Sequence, residues 1–88
     1  MGVIALLGGR PFSDVGVNRE LARRLLEASG AQSVLVLPTA DAFEGPGDLV
    51  TAAQSWFAPL GATATGLMVL TRRDAQDEAN AAAVRAAS

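Results

Sequence analysis

The residues best suited to bind a ligand follow two apolar runs of the chain. Pro38 and Thr39 come directly after the run at 34–37, and Arg72 comes after a later run at 64–70. In parallel α/β sheets ligands gather at the carboxyl ends of the strands. The guanidinium of Arg72 is suited to bind a substrate carboxylate through two parallel hydrogen bonds. We therefore predict a substrate-binding edge that contains Pro38, Thr39 and Arg72.

Gly8 and Gly9 end an earlier apolar run and are the other candidates for this site. Glycine has no Cβ, so these residues permit close approach of a ligand, although they equally suit a simple turn. Thr39 likewise suits a capping role in a turn, and Arg72 suits an exposed ion pair near Asp74. The predicted substrate-binding residues are thus Gly8, Gly9, Pro38, Thr39 and Arg72, each with a structural alternative.

The residue inventory limits what chemistry this site can perform. The chain has no His, Cys, Lys or Tyr, which excludes thiol nucleophiles, Schiff-base lysines and imidazole bases. The chain cannot form a P-loop, the usual binding site for nucleotide phosphates, because that motif needs Lys. The loop acids Asp41, Glu44 and Asp48 do not follow the spacing of a calcium loop. We predict no catalytic residue, no metal and no cofactor within the chain.

Size and charge narrow the function classes further. The 88 residues allow one small domain, and the formal net charge is −2. This negative net charge does not favour binding to nucleic acid or to an anionic membrane. The amino terminus lacks the basic and apolar regions of a secretory signal, and no apolar run approaches the ~20 residues of a membrane helix. We expect a cytoplasmic location.

Three strand-then-helix units are needed to position these residues. The predicted strands are 3–7, 34–37 and 64–70, and the predicted helices are 17–29, 48–60 and 74–88, the last two capped by Asp48 and Asp74. The expected fold class is α/β, a three-layer βαβαβα arrangement with three parallel strands in one partial domain, 1–88. Two of the three strands would be edges with unpaired backbone groups, and the last helix is mostly alanine. We therefore expect this domain to be part of a larger doubly wound sheet, and we expect the 88-residue chain to associate when it is alone.

An ordered set of short motifs resembles the amino-terminal half of the peptidase S51 family. That family contains the cyanophycinases and the aspartyl (dipeptidase E-like) dipeptidases, within the class I glutamine-amidotransferase-like fold. The motifs are Leu6-Leu7-Gly8-Gly9, Asn18, Ser29-Gly30, Val34-Leu35-Val36-Leu37 followed by Pro38-Thr39-Ala40, Phe57-Ala58-Pro59-Leu60-Gly61-Ala62, and Arg73-Asp74-Ala75.

The resemblance implies a serine hydrolase whose reactive residues lie outside this chain. Family members carry a serine in a Gly-x-Ser-x-Gly-like elbow together with a later His, and this chain has neither. One hypothesis is therefore the amino-terminal segment of a hydrolase of small aspartyl peptides or cyanophycin-like substrates, inactive by itself and completed by a carboxy-terminal half. The alternative is a non-catalytic α/β module that binds a small ligand, or completes its sheet with a partner chain or in a homo-oligomer.

Overall fold

The computed structural model describes residues 3–6, 12 and 16–87. Within these residues the chain runs through helix, strand, helix, strand and two final short helices. The elements are α1 (Gly16–Ser29), β1 (Ser33–Val36), a 3-10 turn (Thr39–Asp41), α2 (Pro46–Phe57), a second 3-10 turn (Ala58–Leu60), β2 (Thr63–Gly66), α3 (Arg72–Ala75) and α4 (Glu78–Ala86).

The two strands form a parallel sheet joined through α2. Ser33 pairs with Thr63 and Val36 with Gly66, in continuous register. Val34 and Val36 suit this position because β-branched side chains fit a pleated surface. Which of the predicted strands are neighbours was left open by the sequence; in the structure these two runs pair directly, so the carboxyl ends of β1 and β2 lie at the same edge.

The predicted three-layer βαβαβα fold with three parallel strands is wrong: the described residues form one two-stranded sheet. The first predicted strand, 3–7, is not formed by residues 3–6, which lie in no strand. Ile4 is 90% and Leu6 94% exposed. A short apolar run has strand character only when a neighbouring strand pairs with it, and periodicity does not reveal that partner. Leu7 lies outside the described residues.

The third predicted strand, 64–70, stops at Gly66 for two local reasons. The partner strand β1 is soon followed by Pro38, which has no N–H to continue a ladder. The backbone N–H of Val69 then donates to the carbonyl of Leu67 at 2.9 Å. This i to i+2 bond is a γ-turn, a conformation common at strand ends, so residues 67–70 leave the sheet.

Helix boundaries follow the prediction at the amino-terminal helix and depart from it later. The end of α1 at Ser29 and the left-handed Gly30, with φ 68°, are as predicted. Helix α2 begins at Pro46 with Gly45 as its N-cap, rather than at Asp48, because proline fits the first helical turn. The predicted helix 74–88 is two helices, since Thr71 caps α3 and Asp77 caps α4.

The core lies between the helices and one face of the sheet. Trp56 and Phe57 are buried on α2, as predicted, and Ala53 is completely buried beside them. The ring of Phe12 meets the ring of Phe57 edge-on at 5.8 Å. No residue of α4 is buried, which is consistent with its small side chains contributing little burial.

Candidate functional site

The loops that follow β1 and β2 are joined into one edge by two hydrogen bonds. The N–H of Leu67 donates to the carbonyl of Val36 at 2.9 Å. Beyond it, the hydroxyl Oγ1 of Thr39 donates to the carbonyl of Val69 at 2.5 Å. Thr39 and residues 67–70 therefore lie together at the carboxyl end of the sheet, where the position of the runs predicts a site.

Pro38 and Thr39 have different positions at this edge. The side chain of Pro38 is completely buried, so it offers a ligand no side-chain surface. Thr39 is exposed, and its oxygen keeps lone pairs after donating its proton to Val69. Of this pair, Thr39 is the residue that a ligand can reach.

Replacing Thr39 by valine is expected to loosen the edge. Valine has nearly the same shape but no hydroxyl, so the carbonyl of Val69 loses its side-chain donor. We expect the free energy of unfolding to fall by about 0.5–1.5 kcal/mol. Urea denaturation measures it, and Thr65→Val, at an exposed threonine of β2, is the matched control. Equal stability of Thr39→Val and the parent chain would show that this bond does not hold the edge.

Arg72 is exposed at the start of α3, three residues beyond Val69. This location places its backbone next to the edge formed by Thr39 and Val69. Gly8 and Gly9, the other predicted binding residues, lie outside the described residues. The structure thus brings Thr39 near the loop that leads to Arg72. The predicted contribution of Gly8 and Gly9 to the site is not described by the structure.

Asp74 has a structural role at this edge. One carboxylate oxygen, Oδ2, accepts hydrogen bonds from the N–H groups of Leu70 at 3.0 Å and Thr71 at 3.1 Å. Oγ1 of Thr71 accepts from the N–H of Asp74 at 3.1 Å, which completes a capping box. The pattern Thr-x-x-Asp is readable in the sequence, and it was the signal that a helix begins after Thr71 rather than at Asp74.

These hydrogen bonds lower the pKa of Asp74, chiefly through the N–H of Leu70 and then through Thr71, with a contribution from the positive charge of Arg73. Burial opposes the shift only in part. A carboxylate held in its charged form by backbone donors is a poor proton acceptor. These contacts give Asp74 the role of a helix cap.

The lowered pKa of Asp74 predicts a pH-dependent stability. Because the pKa is lower in the folded state, the stabilisation is complete above the pKa of the unfolded chain. It is lost as pH falls through the folded-state pKa. Thermal melts of the parent and of Asp74→Asn should differ most near neutral pH and converge on acidification, whereas Glu27→Gln, at an exposed position of α1, should show no such convergence. A difference that grows towards low pH would contradict this role.

Ser29 has a structural role at the end of α1. Its hydroxyl donates to the carbonyl of Leu26 at 3.1 Å and accepts from the N–H of Ala31 at 3.1 Å. It therefore ends α1. Because the sequence has no His, no serine of this chain has an imidazole base of the same chain to activate it.

Residues 3–6, 12 and 16–87 contain neither a group of three possible metal-ligating side chains nor a helix suited to span a membrane. No three acidic side chains there are grouped so that they could hold a metal ion, and this includes the loop acids of 41–48. None of the helices formed by these residues has the length and apolar character needed to span a bilayer.

Comparison of the chain with models of known protein families, with curated proteins and with solved structures finds no match. The resemblance to the S51 family therefore stays a prediction based on the short motifs.

Proposed function

We propose that this chain is the sheet-forming, non-catalytic segment of an S51-like serine hydrolase. In this role it supplies one wall of the substrate pocket, and the nucleophile and the histidine come from residues outside these 88. The observation that carries the proposal is the single edge at which Thr39 is bonded to Val69, three residues before Arg72. Small aspartyl peptides are the proposed substrates, since their carboxylates suit a guanidinium partner.

Each group at the edge has a separate part in this proposal. Arg72 binds a substrate carboxylate, and the hydroxyl oxygen of Thr39 accepts a hydrogen bond from the peptide. Pro38, buried below, fixes the course of the loop. The capping box of Thr71 and Asp74 holds the loop between Val69 and Arg72 in place.

Chemical-shift mapping with an aspartyl dipeptide tests this wall. Amide resonances of Thr39, residues 67–70 and Arg72 should shift during a titration of the ¹⁵N-labelled chain. Arg72→Ala should weaken binding about tenfold, which corresponds to ~1.4 kcal/mol. Arg24→Ala removes the same charge from an exposed position of α1 and should leave the affinity unchanged. Equal effects of the two substitutions would show a general charge effect and reject the site.

A second candidate is a non-catalytic α/β module that binds a small ligand or completes its sheet with a partner chain. The observation that favours it is the size of the sheet: both strands of the described structure have an outer edge without a neighbouring strand. Two strands rarely form an independently stable sheet in water. Shift changes confined to β1 or β2 edges on addition of a partner chain, with none at Arg72 on addition of peptide, would favour this candidate.

A further inference from the structure

The outer edge of β1 presents backbone groups ready to pair. The N–H groups of Thr63 and Leu67 donate to the carbonyls of Gln32 and Val36, at 3.0 and 2.9 Å. Carbonyls of successive residues in a strand point to opposite sides. The N–H and C=O groups of Ser33 and Leu35 therefore face away from β2, towards an edge that no described strand occupies.

Within β1 itself, three features that prevent pairing between chains are absent: charge, proline and a bulge. Proteins protect edge strands with charged residues, proline or bulges. The sequence of β1 is Ser33-Val-Leu-Val36, without charge or proline, and it pairs with β2 in unbroken register. The edge is thus suited to accept another short apolar strand.

The same chain carries an apolar segment that pairs with neither strand of the described structure. Segment 3–6, Val-Ile-Ala-Leu, contains neither charge nor proline. Val3 is 47% exposed, and Ile4 and Leu6 are almost entirely so. The chain's own segment leaves the edge of β1 unpaired. An exposed apolar segment and an open apolar edge are complementary in chemistry.

We propose that segment 3–6 of one copy pairs with the outer edge of β1 in a second copy, so that the chain forms a strand-exchanged dimer. Because each copy carries both the segment and the edge, a two-fold arrangement pairs the outer β1 edge of each copy with the segment of the other copy. The formal net charge of −2 opposes this association little. The inference depends on the edge and the segment alone and holds whether or not the chain takes part in hydrolysis.

Sedimentation equilibrium of the full 88-residue chain tests the dimer. The parent should have twice the 9.0 kDa chain mass. The double variant Ile4→Asp/Leu6→Asp should fall to the single-chain mass, and so should Leu35→Pro, which removes an outward N–H without breaking a bond to β2. Phe43→Asp alters a completely exposed aromatic side chain elsewhere and should remain dimeric.

Mixing separates strand exchange from general apolar association. The Leu35→Pro chain keeps an intact segment and the Ile4→Asp/Leu6→Asp chain keeps an intact edge. A mixed pair therefore retains one of the two pairings, and an equimolar mixture should have a higher mean mass than either variant alone. Circular dichroism identifies any variant that fails to fold, and Leu35→Lys then replaces Leu35→Pro. A monomeric parent, a dimer that survives the segment variant, or a mixture that stays at 9.0 kDa would each overturn the proposal.

Discussion

Replacing Gly66 by alanine is expected to lower the free energy of unfolding by about 1–3 kcal/mol. Gly66 ends β2 where α2 crosses it, and a Cβ added there would lie 2.6 Å from Cγ2 and 2.8 Å from Cγ1 of Val50. Both distances are far below van der Waals contact, and Val50 is buried. The clash outweighs the entropic gain of replacing a strand glycine, which is at most ~1 kcal/mol.

Urea denaturation measures the Gly66→Ala effect, and two further variants interpret it. Gly47→Ala changes a glycine of α2 that has open space around it, so it should stabilise the chain by about 0.4–1 kcal/mol. Val50→Ala removes the two closest carbons. The double variant Gly66→Ala/Val50→Ala should therefore lose less free energy of unfolding than the two single variants lose in total. Unchanged stability of Gly66→Ala would show that α2 does not lie this close to β2.

Replacing Trp56 by alanine should lower the free energy of unfolding by about 3–5 kcal/mol. Trp56 is 6% exposed within the core cluster, and the guanidinium carbon of Arg19 lies 4.5 Å from its ring centroid. Alanine leaves a cavity and removes this cation-π contact. Since small domains have only about 5–15 kcal/mol of stability, this loss is a large part of the total.

Circular dichroism is the readout for Trp56→Ala, because the chain has a single Trp and its fluorescence is lost in the variant. Trp56→Phe should cost less than alanine, partly because Nε1 of Trp56 is buried without an acceptor among the described residues and such a donor costs about 1–3 kcal/mol. Phe43→Ala, at a fully exposed position, should change stability by no more than ~0.5 kcal/mol. Equal losses for Trp56→Ala and Phe43→Ala would contradict the described core.

The central part of the fold is predictable from the sequence because its signals are local. Apolar spacing indicates α1 and α2, and Gly30 ends α1 in the left-handed conformation. The apolar run after Gly30 indicates β1. The absence of a strand at segment 3–6 was not predictable in this way. An apolar run forms a strand only beside a neighbouring strand, and no local pattern specifies that neighbour.

The candidate site was predictable in position but not in detail. The rule that ligands gather at strand ends leads to Thr39 and the loop after β2, and the bond from Thr39 to Val69 joins those two loops. Burial of Pro38 depends on packing from distant elements and has no sequence signal. The cap formed by Thr71 and Asp74 did have one, in the spacing Thr-x-x-Asp.

In the proposed function, this chain forms one wall of a pocket and performs no hydrolysis by itself. A time course of aspartyl dipeptide incubated with the purified chain, followed through the resonances of the dipeptide, tests it most directly. We expect the dipeptide to remain intact while the amides of Thr39 and Arg72 shift. Turnover that accompanies the purified chain and is lost when one of its serines is replaced by alanine would contradict the claim.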